Sequence, residues 1–414
     1  MSAAAASSAA ATPSLAGVPV DFVLFALTLA GVALFHRHTL RVAVAGLVAI
    51  TLYKLAFGTF RGVPGPDGLL ALLGQEWVTL ANLFGLLLGF ALLSRHFEES
   101  RLPALLPRYL PDDWKGGFAM LVLVFVLSSF LDNIAAAMIG GTMATVLFKG
   151  RLHVGFLAAI VAASNAGGSG SVVGDTTTTM MWIAGVPPSQ VLDAYIAAVP
   201  ALLFFGVVAA RQQHALQPIT KDAPAGIELD AWRLVIVAAI LVAAIAANIW
   251  FNLRHPELLQ QAPVIGIAVW VAIVLTGWIR RPDWSLLPGA ARGSVFLLSL
   301  VLCAAMMPVE HLPGASWPVA LGLGFVSAVF DNIPLTALAL HQGGYDWGFL
   351  AYAVGFGGSM IWFGSSAGVA LASMFPQARS VGAWVVGGWH VAIGYLIGFA
   401  CLLLAIGWHP DLPH

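Results

Sequence analysis

The chain holds the polar stretch Ser128-Ser129-Phe130-Leu131-Asp132-Asn133-Ile134 in the middle of a run, 116–148, that is otherwise uncharged. The stretch returns as Ser327-Ala328-Val329-Phe330-Asp331-Asn332-Ile333, again inside an apolar run. A second pattern follows each copy: Gly-Gly-Ser begins at 167 and again at 357, and another glycine stands five residues beyond each serine. Two different patterns that recur in the same order predict an internal duplication.

The composition is that of a polytopic membrane protein. Of the 414 residues, 60% are hydrophobic and only 9% are charged, a balance that water-soluble domains do not have. The net charge of −1 offers no basic surface to a nucleic acid, and Cys303 and Cys401 lie in apolar segments without a disulfide framework. Residues 1–17 are rich in Ala and Ser but lack the positive start of a secretory signal, and we predict a disordered tail there.

Apolar segments that can cross a bilayer, which takes about 20 residues, occur in two groups of five. The first group is 20–35, 42–57, 77–93, 155–183 and 195–210, and a polar linker at 211–230 follows it. The second group is 234–250, 264–278, 295–307, 347–374 and 381–406. An odd number of crossings per half turns the second half upside down relative to the first. The sequence therefore predicts an all-α polytopic membrane protein with two inverted repeats, 18–210 and 231–408.

The two runs that hold the Asp-Asn pairs, 118–148 and 317–340, are predicted to be re-entrant helical hairpins. Each arm has roughly a dozen residues, or about 20 Å of helix, which is too short for a hydrocarbon core of about 30 Å. With re-entrant hairpins, 15 of the 18 Lys and Arg residues fall on one side of the membrane. The positive-inside rule makes that side cytoplasmic, so both termini are expected outside the cytoplasmic membrane.

Asp132 and Asp331 are the first candidate ion ligands. A carboxylate at membrane depth costs about 2.5–3.5 kcal/mol on insertion scales, and neither has a Lys or Arg nearby in sequence. The adjacent Asn133 and Asn332 add amide oxygens, which suits a hard cation such as Na⁺. The plainer alternative is that each Asp only caps the returning arm of its hairpin.

A glycine-rich stretch at 164–171 lies in the middle of the 155–183 span, where a continuous helix avoids so many glycines. We predict a broken helix whose unwound carbonyls coordinate ions and whose second half begins at Asp175 and Thr176. Close packing through small residues is the alternative. The equivalent break in the span 347–374 has Ser365 where the first has Asp175, so the two halves are not chemically identical. Asp175 is either a helix cap or an ion ligand or proton carrier.

Other polar residues carry weaker signals. Lys54 is expected to snorkel to the membrane interface. His96, Glu98 and Glu99 lie among arginines and are expected to form a solvated face rather than a metal site. The glycines lack the lysine of a phosphate loop, and no nucleophile–base pair or metal-ligand pair at helical spacing predicts an enzyme.

At these motifs the chain resembles the NhaD-type sodium/proton antiporters, which belong to a larger ion transporter superfamily that also holds arsenite-efflux and dicarboxylate carriers. In the first half the matching text is Phe130-Leu131-Asp132-Asn133-Ile134, Asn165-Ala166-Gly167-Gly168 and Gly174-Asp175-Thr176-Thr177-Thr178-Thr179-Met180-Met181-Trp182. In the second half it is Asp331-Asn332-Ile333-Pro334-Leu335, Gly357-Gly358-Ser359-Met360 and Gly364-Ser365-Ser366-Ala367-Gly368-Val369-Ala370. The resemblance covers roughly 76–184 and 325–399.

The resemblance implies a homodimer whose protomers each have a scaffold and a transport domain, the latter built from the hairpins and broken helices and moving like an elevator. It assigns one ion site to Asp132, Asn133, Asn165 and Asp175, and an inverted counterpart to Asp331, Asn332, Ser359 and Ser365. Three further hydroxyl-bearing residues complete the predicted set: Ser164, Thr176 and Ser366.

We predict secondary active Na⁺/H⁺ exchange, in which the two cations compete for the same carboxylates. The alternative is a Na⁺- or H⁺-coupled anion carrier for citrate or another dicarboxylate, or an arsenite efflux permease. The expected partners are the lipid bilayer, a second copy of the chain and small inorganic ions, without a resident cofactor or a nucleic acid.

Overall fold

The computed structural model describes residues 14–15, 18–35, 38–105, 110–220 and 228–410. Most of the predicted tail therefore lies outside the described residues, as do Arg37, Arg108 and Lys221, which contributed to the predicted orientation. Two short antiparallel ribbons are present, one of β1 (Ser14–Leu15) with β2 (Val18–Pro19) and one of β3 (Thr59–Phe60) with β4 (Val63–Pro64).

The rest of the described chain is helical, apart from turns and connections. The helices of the first half are α1 (Val20–Leu34), α2 (Thr39–Phe57), α3 (Gly65–Glu99), α4 (Leu102–Leu105), α5 (Trp114–Ser128), α6 (Asn133–Leu147), α7 (Val154–Ser169), α8 (Thr176–Ile183), α9 (Pro188–Leu192) and α10 (Ala194–Leu216). The helices of the second half are α11 (Ala231–Arg254), α12 (Pro256–Gln261), α13 (Val264–Thr276), α14 (Leu287–Ala305), α15 (Trp317–Ser327), α16 (Asn332–Gln342), α17 (Trp347–Gly357), α18 (Ser366–Met374), α19 (Val381–Gly387) and α20 (Trp389–Ile406).

Six helical segments among the described residues are long and apolar enough to cross a membrane. They are Thr39–Phe57, Gly65–Glu99, Pro188–Leu216, Ala231–Phe251, Trp284–Ala305 and Trp389–Ile406. Shorter apolar helices, such as α5, α6 and α7, lie between them. The protein is thus an all-helical, multi-pass membrane protein, as its composition predicts.

Several predicted helix boundaries are wrong. The span predicted at 77–93 is the 35-residue helix α3, and the one predicted to begin at 295 begins at Leu287. The predicted linker at 211–230 begins with the last turns of α10, which continues to Leu216. A search for apolar segments misses these ends, because the helix and its backbone hydrogen bonds continue through residues whose side chains are polar. The span predicted at 381–406 is two helices, α19 and α20, which meet at Gly388.

Lys54 is buried, so the prediction that it snorkels to the interface is wrong. Its side chain is 4% exposed, and its Nζ donates to Asp21 Oδ2 at 3.1 Å and to the Met306 carbonyl oxygen at 2.5 Å. The carboxylate and the carbonyl replace the water that the buried amino group would otherwise bond. These bonds join α1, α2 and the end of α14, and the partner Asp21 is too distant in sequence for the pairing to be predicted.

Helix packing divides most of the chain into two groups. The first group contains α1, α2, α3, α11, α13 and α14, and the second contains α5 to α10 and α15 to α20. The groups meet where α14 packs on α16 and where α3 packs on α8. The side chains at this boundary are largely apolar, with Leu300 and Ala304 of α14 beside Ile333 and Ala337 of α16.

Within the second group, the helices around the two Asp-Asn pairs pack in the same way in each half. The arm before the pair packs on the helix that follows in its own half, so that α5 lies on α7 and α15 on α17. The arm after the pair packs on the other half, so that α6 lies on α18 and α16 on α8. The helix that follows each Asp-Asn pair is therefore packed against a helix of the other half.

Candidate ion site

Two helices are interrupted at equivalent places in the two halves. In the first half α7 ends at Ser169 and α8 begins at Thr176, whereas in the second half α17 ends at Gly357 and α18 begins at Ser366. Both new helices begin with a side-chain cap, because Asp175 accepts from the Thr177 N–H at 3.5 Å and Ser365 from the Gly368 N–H at 3.2 Å.

Glycines allow the first interruption to touch the preceding helix pair. A Cβ atom built at Gly167 would lie 2.0 Å from the carbonyl oxygen of Phe125. One built at Gly174 would lie 2.0 Å from the carbonyl oxygen of Ser128. Both obstacles are backbone atoms of α5, which cannot rotate away as a side chain can. The glycine motif thus serves both alternatives considered from the sequence, an interrupted helix and close packing through small residues.

The second half repeats these contacts. A Cβ atom at Gly357 would lie 2.2 Å from the carbonyl oxygen of Gly324, and one at Gly364 would lie 2.5 Å from that of Ala328. The repeated glycines therefore meet carbonyl oxygens shortly before the Asp-Asn pair in each half, within one residue of the aligned position. Both halves thus require small residues at this spacing.

Gly167→Ala is expected to lower the melting temperature of the detergent-solubilised protein by several degrees. The added methyl group meets backbone, and such overpacking of a closed interface costs about 1–3 kcal/mol or more. Gly74→Ala is the matched control, because Gly74 lies in helix α3 with nothing within 4 Å of a built Cβ. Equal melting temperatures for the two variants would contradict the close approach of α7 to α5.

Asp175 is the centre of a hydrogen-bond network that includes both halves. Its side chain is buried, with the residue 3% exposed. Its Oδ1 accepts from Asn133 Nδ2 at 3.2 Å, and its Oδ2 accepts from Thr177 Oγ1 at 2.7 Å. The same Oδ2 accepts from Asn332 Nδ2 at 3.5 Å. One carboxylate is therefore bonded by the asparagine of each Asp-Asn pair.

Asn165 makes the second link between the halves. Its Oδ1 accepts from Asn133 Nδ2 at 3.1 Å, and its Nδ2 donates to Ser359 Oγ at 3.0 Å and to Ser365 Oγ at 3.1 Å. The resemblance assigned these residues to one site and its inverted counterpart, and in the structure hydrogen bonds connect the two sets. Asn165 meets the two serines because α7 packs against α17 and α18 of the other half.

The two aspartates of the Asp-Asn pairs differ in their surroundings. Asp331 caps α16, since its Oδ1 accepts from the Ile333 N–H at 3.0 Å and its Oδ2 accepts from Ser366 Oγ at 3.3 Å. Asp132, at the equivalent position before α6, makes no cap hydrogen bond as close as that of Asp331, although the backbone N–H groups of Asn133, Ile134 and Ala135 interact with its carboxylate. The capping alternative therefore describes Asp331 directly, whereas Asp132 has a looser contact with the start of its helix.

A cavity of about 560 Å³ leads to Asp132 and Asp175. Helices α3 and α14 form much of its wall, and α3 lines it from Leu83 to Glu98, about 22 Å of helix. Asp175 is buried, whereas the side chains of Arg95 and Glu98 are 41% and 36% exposed. The cavity thus connects a buried carboxylate with the surface at the end of α3.

Thr176 is the threonine in the run 176–179 that has a free hydroxyl at the cavity. The Thr178 and Thr179 hydroxyls donate to backbone carbonyls, and that of Thr177 donates to Asp175. Thr176 lines the cavity, and its hydroxyl has no hydrogen-bond partner in the described part of the chain. Ser164 does not join the network, because its hydroxyl donates to the Val161 carbonyl at 3.0 Å.

Sequence reasoning missed some residues around the site. Tyr195 donates to the Gly167 carbonyl at 3.0 Å, and nothing in its own apolar span indicates this contact. The solvated face predicted for His96 and Glu98 is wrong in part: His96 is 2% exposed against Arg233, and Glu98 lines the cavity. The sequence does place Glu98 four residues beyond Ser94, so that both lie on the same face of a helix.

Known proteins provide an independent comparison. No family model matches the chain. Sodium/proton antiporter 1 of Arabidopsis thaliana is 27% identical over 351 residues, which is 72% of this chain and 56% of that protein. Na(+)/H(+) antiporter NhaD of Alkalimonas amylolytica is 25% identical over 312 residues, 64% of this chain and 63% of that protein. Uncharacterized transporter Rv2684 of Mycobacterium tuberculosis is 27% identical over 308 residues, 64% of this chain and 69% of that protein.

The chain spans little more than half the length of the Arabidopsis protein and less than two thirds of the Alkalimonas protein. The relatives that carry a functional name are sodium/proton antiporters, and their matches cover 62–72% of this chain. These matches confirm the resemblance predicted from the Asp-Asn and glycine motifs. The chain is related to the NhaD-type sodium/proton antiporter family.

Proposed function

We propose that the protein is a secondary active Na⁺/H⁺ antiporter of the cytoplasmic membrane. The observation that carries the proposal is Asp175, a buried carboxylate that both halves bond and that lines the same cavity as Asp132. An ionised carboxylate binds a cation, whereas a protonated one releases it. Na⁺ and H⁺ therefore compete for these groups, and competition for one site couples their movements in opposite directions.

The groups at the cavity suit a small hard cation. Asp132, Asp175 and Thr176 present carboxylate and hydroxyl oxygens, the ligand type that hard cations prefer. Asn133 and Asn332 hold Asp175 from either side through their amide N–H groups. We propose that they position the carboxylate and that their amide oxygens are available for a cation.

We propose that alternating access results from a movement of the second helix group relative to the first. The second group carries the whole hydrogen-bond network, and the reciprocal packing of its halves supports an inverted repeat with re-entrant helix pairs. An elevator-like movement of this group along the first would carry Asp175 from one side of the membrane to the other. A polar contact between the groups, Arg61 Nη2 to His341 Nδ1 at 3.0 Å, would break in each cycle.

The proposed transporter also has an oligomeric state and an orientation in the membrane. Helix α13 exposes an apolar face that includes Ile267, Val271 and Val274, and Trp278 follows just beyond its end; this surface suits lipid or a second copy of the chain. We propose the homodimer implied by the resemblance, with both termini outside as the charge distribution predicts.

The anion carrier is the second candidate, because Arg95 lines the cavity. Two observations favour a cation instead. Arg95 is within 3.4 Å of carboxylate oxygens of Glu98, Glu99 and Asp283, so its charge is already neutralised. The N-terminus of α8, where an anion would be stabilised, is occupied by the Asp175 carboxylate.

Transport by everted membrane vesicles tests the proposal. We expect Na⁺ chloride to dissipate a preformed pH gradient, read as dequenching of a pH-sensitive dye, and we expect no dissipation with citrate, succinate or arsenite in the absence of Na⁺. Li⁺ and K⁺ in parallel give the cation preference. A proton flux that requires one of the anions would replace the antiporter proposal with the carrier.

A further inference from the structure

Ser94 and Glu98 line the cavity together, four residues apart on α3. Ser94 is 7% exposed, and its hydroxyl has no hydrogen-bond partner among the described residues. Buried hydroxyls are generally hydrogen-bonded, so an unbonded one in a cavity wall is available to a ligand that enters the cavity. Glu98 lies one helical turn nearer the surface, and its Oε2 accepts from Arg95 at 3.2 Å.

Arg95 does not cancel the negative charge at this end of the cavity. Its guanidinium lies 3.2 Å from Glu98 Oε2, 3.1 Å from Glu99 Oε1 and 3.4 Å from Asp283 Oδ2. One positive charge is thus shared among three carboxylates, of which Glu98 lines the cavity itself.

The neighbouring arginines are engaged by other acids. Arg233 contacts Glu99 at 2.5 Å, and Arg280 contacts Asp230 at 2.9 Å. A hydrogen bond from Arg280 lowers the pKa of Asp230, and one from Ser285 lowers the pKa of Asp283, so both acids are ionised at neutral pH. Four carboxylates therefore face these three arginines, and Glu98 is the one of the four that lines the cavity.

We propose that Glu98 and Ser94 form a capture point, where a monovalent cation with part of its hydration shell is held before it reaches Asp132. The inference rests on the proposed cation transport for the direction of travel. The Glu98 carboxylate attracts cations to this end of the cavity, and the free Ser94 oxygen offers a ligand or a hydrogen bond to hydration water one turn deeper. The capture point is distinct from the network around Asp175, to which neither residue is bonded.

Glu98→Gln tests the electrostatic part of the proposal. We expect the apparent KM for Na⁺ in everted vesicles to rise about 3- to 10-fold at low ionic strength and much less at high ionic strength, because exposed charges are screened. The maximal rate is expected to change far less than KM. Glu257→Gln is the matched control, since Glu257 is an exposed acid that lines neither the cavity nor the pocket around these arginines. An unchanged KM, or a loss confined to the maximal rate, would overturn the capture point.

Ser94→Ala tests the hydroxyl. We expect a rise in KM that persists at high ionic strength, because the contact is short-ranged and is not screened. A KM that equals the parent value at both ionic strengths would remove Ser94 from the proposal.

A second measurement does not depend on Na⁺ transport. Ala91→Cys places a thiol in the cavity wall of a protein whose Cys303 and Cys401 have been replaced by serine. We expect a positively charged methanethiosulfonate to react faster than a negatively charged one, and Glu98→Gln to reduce this preference several-fold. Equal preferences with and without Glu98 would refute the capture point even in an active antiporter. If the parent protein exchanges no Na⁺ for H⁺, the proposed function fails while this measurement still decides the capture point.

Discussion

Asp175→Asn is expected to abolish Na⁺-driven proton exchange, seen as loss of Na⁺-induced dequenching of a pH-gradient dye in everted vesicles. The carboxylate accepts hydrogen bonds from Asn133, Thr177 and Asn332. An amide keeps one acceptor oxygen and turns an NH₂ group toward the other donors, so at least one charged hydrogen bond worth about 1.5–3 kcal/mol is lost. The amide also does not ionise, so it cannot alternate between binding a proton and binding a cation.

The control for this variant is Asp67→Asn, the same change on the exposed first turn of α3. We expect wild-type exchange from it. Gel filtration and the melting temperature in detergent establish that Asp175→Asn is folded. Normal exchange by the folded variant would contradict the central role of Asp175.

Asp132→Asn is expected to remove exchange as completely as Asp175→Asn, but with little change in melting temperature. Asp132 lines the cavity, and the backbone N–H groups of α6 that interact with its carboxylate can also donate to the side-chain oxygen of an Asn. Asn is also as favourable as Asp at the N-terminus of a helix. The measurements are the vesicle assay and thermal unfolding of the purified protein.

Asp331→Asn supplies the comparison, because it makes the same change at the equivalent position of the second half. Asp331 is bonded to the Ile333 N–H and to the Ser366 hydroxyl, whereas Asp132 faces the cavity. We expect a smaller loss of exchange for Asp331→Asn. Equal activity of Asp132→Asn and the parent protein would exclude Asp132 as a site of cation–proton competition.

The sequence could predict the polar centre of the fold because an isolated polar group in an apolar run has few explanations. A carboxylate at membrane depth requires a cavity, an ion or a partner. The Asp132-Asn133 pair meets this condition, and the glycines near Gly167 follow it. Both motifs occur a second time in the same order. The structure places Asn133 and Asn165 in one network with Asp175, a grouping that the family resemblance implied and that the separate motifs alone did not predict.

Helix ends and ion pairs were predicted less well, and the reasons are physical. The polar ends of α3 continue the helix beyond the apolar window. The partner of Lys54 is Asp21 on another helix, and sequence spacing carries no information about a contact between elements. The same limit applies to Arg95, which meets Asp283 only in the folded chain.

The sequence by itself determined the membrane class, the duplication, and the residue types gathered at the centre, because hydropathy and local spacing act within single segments. Only the tertiary structure decided that the two halves share one network, that Asp132 faces the cavity while Asp331 caps a helix, and that Glu98 lines the cavity with Ser94. The shared network depends on how α7 packs against α17 and α18 and how α16 packs against α8, and the cavity wall depends on how α3 packs against α14. Packing between distant segments is set by three-dimensional fit, which local sequence patterns do not encode.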